Sequence, residues 1–250
     1  MTPIWQWDET VQKGWDYGSI AEVQRYDKRM AAFRDVRAEA QDILRRLALS
    51  PDDVILEIGT GTGVFAREAA RQCRTVIAID VSPPMLEYAA RRAEDERIDN
   101  IVFQQAGFLT YEHEGEPLAA VVSQTALHHL PDAWKLIALT RLRGFLREEG
   151  SLYISDVVFA DRVQNDWASF FEEVLDYTGA DGREETATHI REEYSTFDWM
   201  MREILVRAGF EIEWATLIDE FSGHYFCRKR PGQMDTPQCS TPQLLNTVGH

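Results

Sequence analysis

Residues 55–63 read ILEIGTGTG, with glycines at Gly59, Gly61 and Gly63 packed into one short loop. A β-branched run, VILEI (54–58), precedes that loop, and a helix-like run, VFAREAARQ (64–72), follows it. Closely spaced glycines between a strand and a helix let backbone amides approach a ligand. A second strand, TVIAID (75–80), ends in Asp80, 21 residues beyond Gly59, where a carboxylate can accept from both hydroxyls of a ribose. Few folds accommodate this order.

The alternation continues. PPMLEYAARRAEDE gives a helix with proline at its start, NIVFQQ (100–105) a third strand and AAVVSQ (119–124) a fourth. DAWKLIALTRLRGFL (132–146) predicts a helix capped by Asp132, and SLYISDVVF (151–159) a fifth strand after a turn at Gly150. Towards the end, FDWMMREILVRAG is a helix, and FEIEWATLI and GHYFCRKR lie too close together for an intervening one, so they pair antiparallel. The expected fold is α/β: a doubly wound, Rossmann-like sheet of about seven strands with an antiparallel last strand and an N-terminal helical addition.

Three regions divide the chain. Residues 1–50 form an N-terminal helical cap segment, with Trp5, Trp7, Trp15, Tyr17 and Tyr26 near its start and one helix over MAAFRDVRAEAQDILRRLAL. Residues 51–230 form the ligand-binding domain, in which 157–196 is an insertion whose helix places Trp167, Phe170, Phe171, Val174 and Leu175 on one face. A forty-residue detour in a compact domain is usually functional, so this one is expected to cover the substrate. Residues 231–250, rich in Pro, Gln and Thr, are expected to be a disordered tail.

The spacing G-x-G-x-G departs from the G-x-G-x-x-G of dinucleotide sites, and Glu57 suits an α-ammonium group better than a pyrophosphate. With VILEIGTGTGVFA, VIAIDVSPPMLEYA, FQQAGFLTY and VVSQTALHHLPD in that order, the chain resembles the class I S-adenosylmethionine-dependent methyltransferases. The last stretch is similar to methyltransferase type 11 enzymes and those of quinone biosynthesis. The resemblance implies strand order 3-2-1-4-5-7-6 and methyl transfer from S-adenosylmethionine to a small-molecule acceptor. It implies that Gly59, Thr60, Gly61 and Gly63 cradle the methionine part, with Glu57 on its ammonium. Asp80 would hold the ribose, Val81 and Met85 would pack on the adenine, and Ser123 and Gln124 would border the sulfur. After the third strand the family has an acidic residue for the adenine amino group. This chain has Gly107 and Phe108 there, so backbone groups or stacking on Phe108 would substitute.

His128 is the candidate general base, since imidazole titrates near neutral pH, although a capping or packing role in LHHLPD is the plainer reading. His189, His224, Tyr153 and Asp156 are weaker candidates. Cys73, Cys227 and Cys239 lie far apart and suggest neither disulfides nor zinc, and no sequence feature calls for a metal. The 42 acidic against 26 basic residues, a net charge of −16, disfavour nucleic acid as a partner, and RLRGFLREE (141–149) is expected to be a solvated helix face. With no apolar run long enough to span a membrane and no signal peptide at the start, the expected location is the cytoplasm. Oligomeric state is left open. Two other readings compete: a non-catalytic S-adenosylmethionine sensor, and an NAD(P)-dependent oxidoreductase, which the glycine spacing and terminal hairpin oppose.

Overall fold

The structure, a computed structural model, describes residues 3–11, 18–178 and 183–231. All of the expected tail beyond residue 231, Cys239 included, and Trp15 and Tyr17 therefore lie outside the described residues. Seven strands run in the order β3-β2-β1-β4-β5-β8-β7, where β1 is Val54–Ile58, β2 Thr75–Asp80, β3 Ile101–Gln105, β4 Leu118–Gln124, β5 Leu146–Phe159, β7 Phe210–Ile218 and β8 Ser222–Lys229. The first five are parallel, and β8 pairs antiparallel with both β5 and β7. A two-residue strand, β6 (Thr196–Phe197), also pairs with β5 and was not foreseen.

Strand side chains alternate between two apolar layers, as a sheet covered on both faces requires. Leu56, Ile58, Val121, Leu152 and Ile154 face one layer, with α5 (Asp132–Phe145) and α8 (Asp198–Arg207). Ile55, Ala120, Val122 and Tyr153 face the other, with α2 (Val36–Leu47) and α3 (Val64–Ala70). At the outer end, α1 (Ile20–Phe33) packs on α4 (Pro83–Asp95), where Tyr88 Oη donates to Asp27 Oδ2 at 2.8 Å.

Four local expectations are corrected. The single N-terminal helix is two, because the Asp35 side chain accepts from Ala38 N–H and starts a new helix. Asp132 does not cap α5; Pro131 holds that position, and Asp132 accepts from Lys135 Nζ at 2.8 Å instead. Gly150 is no turn, since β5 begins at Leu146 and runs through it. Nor is 141–149 a solvated helix face, because Arg143 is buried and donates to the carbonyls of Gly209 and Arg230. In the insertion, α6 (Trp167–Thr178) buries Phe170, Val174 and Leu175 but leaves Trp167 partly exposed, and α7 (Arg183–Glu192) follows. Among the described residues, no helix is long and apolar enough to cross a membrane.

Candidate active site

At the carboxyl ends of β1, β2 and β4 the sheet opens into a partly enclosed cleft. Its floor is the glycine loop. Gly59 and Thr60 N–H both donate to Ile79 O, tying the loop to β2. Gly59 has φ +71°, and a Cβ there would lie 2.5 Å from Ala126 Cβ, so only glycine lets this loop meet the one after β4. Arg67, buried on α3, braces the loop from behind by donating to Thr62 O at 2.7 Å.

Two acids flank that floor. Asp80 accepts from Gly61 N–H and from Ser82 N–H, each at 2.9 Å, and lines the cleft; burial raises its pKa. Glu57 lies beneath the loop, where its Oε2 accepts from Thr60 Oγ1 at 2.6 Å. Burial pushes its pKa up to about 8, so the carboxyl is protonated until a cation arrives.

Of the residues singled out by sequence, Gly59, Gly61, Asp80, Val81, Met85, Gly107, Phe108 and Gln124 line the cleft. Glu57, Thr60, Gly63, Ser123 and His128 stand behind the lining. Ser123 Oγ and Gln124 Oε1 are buried with no protein partner. Thr125 follows them with φ +48°, a rare conformation for a β-branched residue, at the lip of the cleft.

Glu9 also lines the cleft although nothing in the sequence singled it out, alongside Tyr26 of the aromatic N-terminal segment and His129 of LHHLPD. Glu9 arrives from the N-terminal segment, accepts from Leu109 N–H at 3.0 and 3.1 Å and from Thr110 Oγ1 at 2.7 Å, and is buried. A Cβ on Gly107 would overlap its carboxylate. The glycine that stands where an acid was expected thus makes room for an acid from elsewhere. Only the absence of a side chain at Gly107 could have hinted at it.

His128 sits one layer deeper. Its Nδ1 lies 2.5 Å from Asp156 Oδ1, its Nε2 3.1 Å from Glu193 Oε2, and its N–H donates to Asp156 Oδ2. Burial alone would lower its pKa, but the two carboxylates outweigh burial and push it up to about 9. His129, which faces the cleft, is lowered to about 4 by burial and by the neighbouring His128. Glu193 also meets His189 Nδ1 at 2.5 Å. Tyr153 and His224 pair with each other at 3.0 Å and are not among the residues lining the cleft.

A family model described as a methyltransferase domain matches residues 55–150, from the glycine loop to β5. An uncharacterized methyltransferase of Geobacillus thermodenitrificans is 27% identical over 210 residues, covering 84% of this chain and 88% of that protein. A SAM-dependent methyltransferase from Aquifex aeolicus superposes with a TM-score of 0.60 at 16% identity, over 84% of this chain and 98% of that one. A geranyl diphosphate methyltransferase, solved in complex with SAM, gives 0.62 at 14% identity, over 86% and 91%.

Proposed function

We propose that this chain is a class I S-adenosylmethionine-dependent methyltransferase that binds that donor in the cleft described above and passes its methyl group to a small-molecule acceptor, a reading supported by the methyltransferase-domain match and the methyltransferase relatives. The observation that carries the reading is Asp80: a buried carboxylate held by Gly61 N–H at the tip of β2, beside a loop of closely spaced glycines. A ribose placed there leaves the methionine part over Gly59 and Gly61, within reach of Glu57 through the loop. The adenine then lies between Val81, Met85 and Phe108, with the Glu9 carboxylate at its edge to accept from the exocyclic amine. Ser123 and Gln124 supply the unpaired polar atoms at the sulfur end.

When bound, the donor supplies an activated methyl: the acceptor's lone pair forms a bond to its carbon as the carbon–sulfur bond breaks and the electrons return to sulfur. The protein's part is alignment and exclusion of water. Trp7 and Tyr194 meet edge to face at 5.2 Å, bringing the N-terminal segment and the insertion together. His128 orders the loop that carries Ala126 and His129, because both its ring nitrogens are engaged.

Calorimetry with S-adenosylmethionine and S-adenosylhomocysteine tests the binding, and turnover with a metabolite library tests the transfer. Binding with micromolar affinity and release of S-adenosylhomocysteine above blank are expected. Binding without turnover would leave a sensor, and no binding by folded protein would overturn the reading.

A further inference from the structure

His128, His129 and Glu193 converge beside the cleft from two separate segments, and their candidate donor atoms all lie within 4.8 Å of one another. His128 and Glu193 are almost fully enclosed, with 7% and 5% of their side chains exposed. Two imidazoles and one carboxylate are a donor set that borderline divalent cations take, with a further position left for water or substrate.

The surrounding groups match that use. Asp156 Oδ1 accepts from His128 Nδ1–H, a contact that fixes the ring and turns the Nε2 lone pair towards Glu193. A carboxylate on the far nitrogen of a ligating histidine is the usual support of such sites. Glu193 is oriented in turn by His189, whose Nε2 meets Ser195 Oγ at 3.0 Å. With Nδ1–H donating, a lone pair on Nε2 faces an anionic oxygen 3.1 Å away, so something positive must stand between them. A proton can do so, and so can a metal ion. Two donors each about 2.1 Å from one ion lie roughly 3.0–3.4 Å apart, so this pair already has the required separation and a turn of the side chains aims both at one ion. Bringing in His129 asks for a movement of at most about 1.5 Å by one side chain.

We propose that His128, His129 and Glu193 bind a divalent metal ion of the zinc type at the wall of the cleft, with its remaining coordination position facing the acceptor. His129 lines the cleft, which directs that open position inward. An ion there lowers the pKa of a hydroxyl bound to it, a service the clamped His128 ring does not provide as a free base. No sequence spacing announces the site, because residues 128–129 and 193 are joined only by the fold. Its use by an acceptor rests on the methyl-transfer reading; the binding of the ion does not.

The test uses the full chain, stripped with a chelator and titrated with Zn²⁺ and, for a visible signal, Co²⁺. One equivalent per chain is expected, with the intense visible absorption of low-coordinate cobalt bound by nitrogen and oxygen. Glu193→Gln and His129→Ala should each weaken binding about 10-fold or more. Because Glu193→Gln could disturb the insertion, His129→Ala serves as the second variant, and circular dichroism checks that both fold. No uptake by folded wild type, or uptake that neither variant changes, overturns the proposal. Calorimetry with S-adenosylmethionine on the stripped protein separates this failure from that of the methyl-transfer reading.

Discussion

At the scale of single residues, the cleft concentrates its electrostatics in three buried acids with separate tasks. On the proposed reading, Asp80→Ala removes the acceptor for two sugar hydroxyls, and it leaves Gly61 N–H unpaired. Hydrogen bonds to a charged group are worth about 1.5–3 kcal/mol each, so donor affinity should fall by about 100-fold or more in calorimetry. Glu57 gives a pH signature. Folded and unliganded, it holds its proton up to about pH 8, whereas the unfolded chain releases it at ordinary carboxylate pH. The folded state therefore binds the extra proton in between, and this group's contribution to stability declines as pH rises across that window. An ammonium group on the ligand reverses the preference and expels the proton. Below about pH 7.7, where an α-ammonium group keeps its own proton, donor affinity should then rise with pH, with proton release visible as a dependence of the binding heat on buffer. Gly107→Ala should displace the Glu9 carboxylate and cost about 1–3 kcal/mol in denaturant titration, together with donor affinity.

Among the elements, those with strong local signals were legible: β1 and β2 through β-branched runs, α4 through Ser82 and two prolines, and the terminal hairpin through its short gap. The break at Asp35 was not, because the apolar spacing of Phe33, Val36, Ile43, Leu44 and Leu47 runs straight across it. The insertion is held less by its own helices than by what they touch. Lys135, with no exposed side-chain surface, donates from α5 to Asp132 and to Tyr194 O, pinning the segment that also carries Glu193. Lys135→Ala leaves the Tyr194 carbonyl and the Asp132 carboxylate without their cation and opens a void. A loss of about 2–4 kcal/mol is expected, read as a lower denaturation midpoint.

For the molecule as a whole, the sheet order followed from the alternation of strands and helices together with the family resemblance, because parallel crossovers admit few arrangements. The part of the cleft wall that Glu9 supplies did not, because it joins positions remote in sequence. Glu9 reaches Leu109 across 100 residues, and no periodicity within a window records such a contact. Deleting residues 1–11 should preserve the sheet by circular dichroism yet abolish tight donor binding in calorimetry. The space above Gly107 also has a bearing on ancestry. An N-terminal acid is of use only where position 107 carries no side chain, and a bare position 107 exposes the loop unless that acid is supplied. Descendants of one ancestor should therefore keep both or lose both, and a relative with a bulky residue at the second place should have an N-terminus that travels elsewhere.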